Sequence, residues 1–142
     1  MKIVLDANIL LSALIKDSVT REIILTSHFN FYFPEPTLHA LRKYEHYVIE
    51  KAGYAKSEYD LHYSTLFKYI SIISIEKIYP NYAKAVDIMG HIDKEDVVII
   101  AAALSLPNSL IWTNDLDFQL QAEIKILRTI DVVKLLPSLT KL

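Results

Sequence analysis

The chain has 142 residues, is 52% hydrophobic and 23% charged, and carries a net charge of -2. This length fits one domain, residues 1–142, and the composition excludes a wholly disordered chain. The charge disfavours a polycation that coats nucleic acid non-specifically, so any nucleic-acid binding has to come from a local site. Because cysteine is absent, disulfides, zinc–thiolate sites, iron–sulfur clusters and thiol nucleophiles are excluded.

The N-terminal segment and the glycine content exclude further classes of protein. The first apolar run ends at Asp6. A secretion signal needs a longer apolar region, so we expect a cytoplasmic protein. Only Gly53 and Gly90 occur, whereas dinucleotide-binding fingerprints and P-loops need closely spaced glycines. The sequence therefore excludes both of these nucleotide sites.

Short apolar runs alternate with segments of helical periodicity along the chain. The predicted strands are 3–5, 31–33, 72–75, 110–112 and 124–127. The predicted helices begin at caps Asn8 and Ser18, run from Pro36 to Ala52 before Gly53, begin again at a capping box from Ser57, and cover 80–89, 97–106 and 130–136. This alternation predicts an α/β fold with a mostly parallel sheet covered by helices on both faces.

Acidic side chains occur at three distant places that a parallel sheet would bring to one edge. Asp6 follows the first predicted strand, and Asp115 follows the strand 110–112. Ligands of open α/β sheets bind beyond the carboxyl ends of the strands, where both residues are expected. The helix that begins near Asp93 and Asp96 could approach the same edge.

These acids have structural interpretations as well as functional ones. Aspartates such as Asp93 and Asp117 cap helix starts and suit the positive end of the helix dipole. Asp96 differs because it directly precedes the apolar segment 97–100, where an ionised carboxylate needs a partner. The case for a site therefore depends on whether the distant acids converge.

Converging carboxylates repel one another unless protons or a cation offset their charge. Mg²⁺ and Mn²⁺ prefer oxygen ligands and usually bind a few carboxylates together with water. Such an ion joins an acidic pocket to a phosphate and makes its bound water a better nucleophile. A converged set of acids would thus indicate metal-assisted chemistry on a phosphate ester.

The segments around these acids resemble the PIN-domain nucleases. The matching motifs are 4–10 (VLDANIL), Asp93-x-x-Asp96 before the alanines at 101–103, and 112–118 (WTNDLDF). They occur in the family's order over essentially the whole chain. The resemblance implies a Rossmann-like three-layer α/β/α sandwich and Mg²⁺- or Mn²⁺-dependent ribonuclease activity. Many small prokaryotic members are toxins of toxin–antitoxin pairs, similar to VapC proteins.

The resemblance also implies roles for particular residues and partners. The implied catalytic and metal-binding residues are Asp6, Asp96 and Asp115, with Asn8 and Thr113 as orienting groups and Asp93 and Asp117 as auxiliary ligands or water-binding groups. The implied partners are an RNA substrate and an antitoxin protein. A homodimer is a further candidate assembly, because small members of such families often pair.

One position departs from the family pattern. Ala40 stands where the resemblance predicts a glutamate, and Glu45 is rotated by roughly 140° from it on an ideal helix. Glu35 precedes the predicted helix, and His39 could bind a metal, although a structural histidine is the favoured interpretation of it. The departure leaves open a second function, a PIN-like binding module without turnover. A phosphatase is disfavoured, because its second aspartate would stand at Asn8.

All nine tyrosines lie between Tyr32 and Tyr82. The middle helices carry Tyr44, Tyr47, Tyr54, Tyr59, Tyr63 and Tyr69, interleaved with Lys43, Lys51, Lys56 and Lys68. One interpretation is an RNA groove with stacking rings and phosphate-binding ammonium groups. The other, which we favour, is a helical hairpin or a dimer face packed through its rings.

Overall fold

The computed structural model describes residues 1–15, 18–90 and 93–136. The strands of this part of the chain are β1 (Lys2–Leu5), β2 (Asn30–Pro34), β3 (Ile70–Ile73), β4 (Leu110–Trp112) and β5 (Ile126–Leu127). They form one sheet of order β3-β2-β1-β4-β5, in which every neighbouring pair is parallel. The α/β prediction with a mostly parallel sheet is therefore confirmed.

Helices cover both faces of this sheet. Within the described ranges they are α1 (Ala7–Ile15), α2 (Val19–Thr26), α3 (Leu38–Lys43), α4 (Glu45–Ala52), α5 (Lys56–Phe67), α6 (Ile75–Ile78), α7 (Tyr82–Met89), α8 (Lys94–Leu104) and α9 (Thr129–Lys134). Short 3₁₀ turns lie at Glu35–Thr37, Tyr79–Asn81 and Leu116–Leu120. None of the helices that the structure describes is long and apolar enough to cross a membrane.

The central strand β1 divides the hydrophobic core into two clusters. Successive side chains of a strand point to opposite faces of the sheet. Ile3 and Leu5 accordingly pack with residues of α1, α2, α4 and α5, whereas Val4 packs with residues of α7 and α8. All three side chains are fully buried. The sheet is thus the middle layer of the three-layer sandwich that the resemblance implied.

The register of β1 and β4 positions two of the acidic segments side by side. Leu5 pairs with Trp112, and the backbone N–H of Asp6 donates a hydrogen bond to the carbonyl oxygen of Trp112 at 3.1 Å. The residue after β1 therefore lies beside the residue after β4, Thr113. This pairing is the backbone reason that residues more than one hundred positions apart can share a site.

The helix predicted from Pro36 to Ala52 is two helices. A 3₁₀ turn precedes α3, and the backbone of Tyr44 (φ -98°, ψ 7°) interrupts the helix between α3 and α4. Gly53 ends α4 in the left-handed conformation, with φ 72°, as its sequence position predicts. The expected helix start at Pro80 was also early, because that proline lies in a 3₁₀ turn and α7 begins at Tyr82.

Two of the predicted helix caps were misplaced. The helix expected to begin at Ser57 begins at Lys56, and Glu58 Oε1 accepts a hydrogen bond from the N–H of Ala55 at 3.1 Å. Asn8 is not a cap either, because it lies inside the first turn of α1. Ser18 does cap α2, where its hydroxyl accepts from the N–H of Arg21. Short polar side chains fit several turn positions, so their identity alone did not locate each helix start.

Element ends differ where apolar runs continue past a strand. The strand predicted at 72–75 corresponds to β3, which begins at Ile70 and ends at Ile73. Ser74 lies outside the strand and caps α6 through a hydrogen bond from the N–H of Lys77 at 3.4 Å. Pairing with β2 sets this boundary, since Pro34 lies opposite Ile73. The last strand is shorter than 124–127 predicted, and α8 begins ahead of Val97, within the acidic segment.

Candidate metal-binding cleft

A cleft of about 400 Å³ opens where the polypeptide leaves β1 and β4. Acidic residues from three sequence-distant segments line it: Asp6, Asp93, Glu95, Asp96 and Asp115. No lysine or arginine of the described residues is among its lining. The structure thus brings the distant acids together in a cleft with an excess of negative charge.

Asp6 is held in a fixed orientation at the inner end of the cleft. Its side chain is only 7% exposed, and its Oδ2 accepts a hydrogen bond from Thr113 Oγ1 at 2.7 Å. The same hydroxyl oxygen accepts from the N–H of Asp115 at 3.0 Å. Burial raises the pKa of Asp6, while hydrogen bonds from Thr113 and from the N–H of Asn8 oppose this increase. Thr113 therefore links the two acidic segments through its hydroxyl.

Asp96 lies in the first turn of α8 and is only 8% exposed. Burial raises its pKa to about 7, and the nearby charges of Asp93, Asp115, Asp6 and Asp117 add to the shift. Asp93 caps the same helix, since its Oδ1 accepts a hydrogen bond from the N–H of Glu95 at 3.0 Å. Asp93 thus has the capping role considered from the sequence while it also lines the cleft.

Asp115 and Asp117 are held by a turn that the loop after β4 makes. Asp115 Oδ1 accepts a hydrogen bond from the N–H of Asp117 at 2.9 Å, which begins the 3₁₀ turn Leu116–Leu120. One carboxylate oxygen from each of Asp96, Asp115 and Asp117 lies within 4.8 Å of the other two. These three carboxylates therefore form a group that could hold one metal ion.

The donor set fits a hard divalent cation. All of the converging ligand atoms are carboxylate oxygens, which Mg²⁺ and Mn²⁺ prefer over nitrogen or sulfur. The raised pKa of Asp96 shows that its negative charge is poorly compensated by the residues around it. Asp6 lies outside the tight group of three but lines the same cleft, so it could reach an ion directly or through water.

The side chains that could replace a glutamate at position 40 have other partners or line another cavity. Ala40 lines the cleft, but Glu35 Oε1 accepts a hydrogen bond from the N–H of Ile75 at 3.1 Å. Glu45 forms an ion pair with Lys56 at 3.2 Å. His39 lies beside a separate cavity of about 140 Å³ and is absent from the lining of the acidic cleft.

Glu95 is the acid of this cleft to which sequence reasoning assigned no role. It lines the acidic cleft and the smaller neighbouring cavity, and in both it is joined by Ala40. The available signal was its position directly before Asp96 in the first turn of a helix. An acidic residue of α8 therefore lines the same two cavities as Ala40 of α3.

Thr129 is a supporting residue that the sequence did not reveal. Its Oγ1 accepts hydrogen bonds from Trp112 Nε1 and Asn114 Nδ2, each at 3.0 Å. Its N–H donates to Asn114 Oδ1 at 2.9 Å. These bonds fix the loop that carries Asp115 to the start of α9. No local motif marked Thr129, because its partners are fifteen and seventeen residues away.

Apart from Tyr69, which is exposed and does not line the cleft, the tyrosines of the middle helices divide into two groups. Tyr59 is buried, Tyr54 and Tyr63 pack against the core, and the Tyr54 hydroxyl accepts a hydrogen bond from Arg21. Tyr44 and Tyr47 instead line the acidic cleft. The packing interpretation therefore holds for the first group and leaves the second unexplained.

The parallel three-layer fold and the acidic cleft define an α/β protein with a site suited to divalent cations. A family model described as PIN domain matches residues 4–134. The chain belongs to the PIN domain family, as the sequence motifs indicated.

Comparison with solved structures identifies a similar fold in the crystal structure of VapBC2 from Rickettsia felis bound to a DNA fragment from their promoter. The TM-score is 0.66 at 18% sequence identity, and the alignment covers 90% of this chain and 98% of that chain. A comparison with curated protein sequences found no match.

Proposed function

We propose that this protein is a divalent-metal-dependent endoribonuclease that hydrolyses RNA phosphodiester bonds, and that it is the toxin of a toxin–antitoxin pair. One observation carries the proposal: Asp6 after β1, Asp96 in the first turn of α8 and Asp115 after β4 line one cleft. PIN family membership supports nuclease chemistry. The similar fold in a VapBC2 structure supports an antitoxin partner, and a homodimer is part of the same proposal.

Asp96, Asp115 and Asp117 would hold Mg²⁺ or Mn²⁺, with Asp6 beside them. When bound, such an ion lowers the pKa of a coordinated water and offsets the negative charge of a phosphodiester. The acids need this compensation, because their own charges would otherwise repel RNA from the cleft.

The remaining residues of the cleft position the acids. Thr113 holds the Asp6 carboxylate through its hydroxyl and fixes Asp115 through the backbone, so both acids keep their direction when a ligand enters. The side chain of Asn8 lines the cleft in the first turn of α1, and we assign it the orientation of a water or of a phosphate oxygen. Asp93 anchors the start of α8 and thereby the position of Asp96.

The test is an RNA cleavage assay with purified protein in Mn²⁺, in Mg²⁺ and in EDTA. We expect cleavage with either ion, none in EDTA, and a loss of about 100-fold or more in the variants Asp6→Asn and Asp115→Asn. The control is Asp60→Asn, which removes an exposed carboxylate that pairs with Lys56 on α5. Cleavage that persists in both cleft variants would remove the basis of the proposal.

Ala40 favours a second candidate, a PIN-like module that binds nucleic acid or protein without turnover. The cleft has a methyl group at this position where the family pattern has a carboxylate. The variant Ala40→Glu separates the two functions. A large gain of cleavage over an inactive wild type would support the binding module, whereas strong cleavage by the wild type would dismiss it.

A further inference from the structure

We propose that Tyr44 and Tyr47 form a stacking platform for bases of single-stranded RNA at the rim of the acidic cleft. The inference rests on the proposed ribonuclease function and names the form of RNA that the site takes. Its experiment measures binding rather than cleavage, so the two proposals can fail separately.

The rings of Tyr44 and Tyr47 are exposed, whereas rings that serve only to pack the core would be buried. Tyr44 is 43% exposed and Tyr47 is 51% exposed, although both line the cleft. Tyr44 directly precedes α4 and Tyr47 lies in its first turn, so the two rings reach the cleft from the same short segment. Exposed aromatic faces beside a nucleic-acid site can stack unpaired bases of any sequence.

A lysine accompanies each ring. Lys43 Nζ lies 5.7 Å from the ring centroid of Tyr44, and Lys51 Nζ lies 5.4 Å from that of Tyr47. Lys51 Nζ also donates to the Tyr47 hydroxyl at 3.0 Å. Neither lysine forms an ion pair with a carboxylate of the described residues. Their charges are thus available to phosphates next to the rings, outside the acidic cleft.

A second groove extends the cleft past Tyr47. This groove, of about 360 Å³, is lined by residues of α1 and α4, among them Ser12 and Lys51. It shares Asn8, Leu11 and Tyr47 with the acidic cleft, so the two cavities are adjacent at these residues. In the proposed complex, a strand whose phosphate lies at the acids passes Tyr47 and continues toward Lys51.

The geometry favours a single strand over a duplex or a protein segment. Bases of a duplex are stacked on one another and cannot turn toward the rings, whereas unpaired bases can. A protein segment that binds an apolar groove needs no cations at the rim. The exposed rings match unpaired bases, and the lysines match phosphates. The adjacent acidic cleft matches the phosphate that would be cleaved, so all three features fit single-stranded RNA.

The experiment measures binding of a fluorescein-labelled 12-mer oligouridine by fluorescence anisotropy in Mn²⁺. Every protein carries Asp115→Asn, so that the RNA stays intact, and gels verify this. We expect Tyr44→Leu and Tyr47→Leu each to weaken binding by about 5- to 20-fold, and Tyr44→Phe and Tyr47→Phe by less than about 2-fold, because phenylalanine keeps the stacking face. The control is Tyr79→Leu, at a tyrosine that is 74% exposed and lines neither cavity, and it should bind as the parent does.

Three results would overturn the platform. The leucine variants could bind RNA as tightly as Tyr79→Leu, the phenylalanine variants could lose as much affinity as the leucine variants, or a matched duplex could bind as tightly as the single strand. Unchanged RNA affinity with altered sedimentation would assign the rings to a protein interface. Ring-dependent binding, together with no RNA cleavage by the protein that retains Asp115, would retain the platform and refute the nuclease.

Discussion

A charged side chain is buried at each end of α1, and its charge is compensated to a different extent at the two ends. Arg21 packs at the C-terminal end and Asp6 at the N-terminal end, and each is 7% exposed. The helix dipole favours a cation at the first place and an anion at the second. Arg21 donates through Nε to the carbonyl of Ala13 at 2.6 Å and through Nη2 to that of Leu14 at 3.1 Å and to the Tyr54 hydroxyl at 2.9 Å.

At the N-terminal end the charge exceeds what its neighbours compensate. Asp6 has hydrogen bonds, but further acids face it across the cleft, and burial with these charges raises the pKa of Asp96 to about 7. A buried charge whose hydrogen bonds are complete stabilises structure, whereas accumulated like charge costs stability until a ligand offsets it. Uncompensated negative charge, rather than burial, therefore distinguishes the candidate site from the buried arginine.

The largest expected effect is on stability, at the compensated end. Arg21→Met should lower the free energy of unfolding by about 3 kcal/mol, because two helix carbonyls and a tyrosine hydroxyl lose their donor in a buried place. Urea unfolding followed by circular dichroism measures the change. The matched control is Arg42→Met, at an exposed arginine of α3, which should change the unfolding free energy by less than about 0.5 kcal/mol. Equal midpoints for the two variants would show that Arg21 is dispensable.

The next-largest expected effect is the pH dependence of stability that the uncompensated negative charge near the N-terminal end of α1 causes. The pKa of Asp96 is about 7 in the folded protein against an ordinary value of 3.8, so the folded state keeps a proton that the unfolded chain has lost between these values. Without divalent ions, stability should therefore fall as the pH rises from about 4 to about 7. Solvent at the cleft mouth reduces the total, which we expect to be about 2 kcal/mol.

Asp96→Asn should reduce this slope to the part that the raised pKa of Asp6 contributes, and it should make the metal-free protein more stable than wild type at pH 8. Asp60→Asn is the control and should keep the slope. Saturating Mn²⁺ at pH 8 should stabilise the wild type and have little effect on Asp96→Asn, because the ion offsets the same charge. Parallel pH profiles for wild type and Asp96→Asn would contradict this assignment.

The sequence predicted the convergence of Asp6 and Asp115 because one general rule governs it. Parallel strands place their carboxyl ends at one edge, so two acids that each follow a strand must meet if the strands are neighbours. The approach of α8 was equally open to prediction, since an apolar helix with an acidic start packs against the sheet. These inferences needed only the alternation of strands and helices.

Other features depend on contacts between residues that no local pattern connects. The hydroxyl of Tyr54 accepts a hydrogen bond from Arg21, although the two residues are 33 positions apart in the chain. Nothing in the sequence near either residue indicates this pair. The break at Tyr44 involves neither glycine nor proline, yet it separates α3 from α4 in the segment that places two tyrosines on the cleft. The end of β3 was misplaced because Ile75 continues the apolar run, whereas Ser74 already caps the next helix.

The smallest expected effect concerns the link between the two acidic segments. Thr113→Val keeps the shape of a fully buried side chain but removes the hydroxyl that donates to Asp6 and accepts from the N–H of Asp115. We expect the free energy of unfolding to fall by about 1 kcal/mol. The affinity for Mn²⁺ should fall by about 10-fold, because the carboxylate of Asp6 loses its orientation.

Calorimetric titration with Mn²⁺ separates this positioning role from a purely structural one. Thr113→Ser retains the hydroxyl and should recover most of the affinity, although it loses the methyl group and some packing. A threonine that only fills space would show the reverse order, with valine close to wild type and serine weaker. The ranking of the two variants therefore decides whether the hydroxyl or the methyl group of Thr113 matters to the acids it joins.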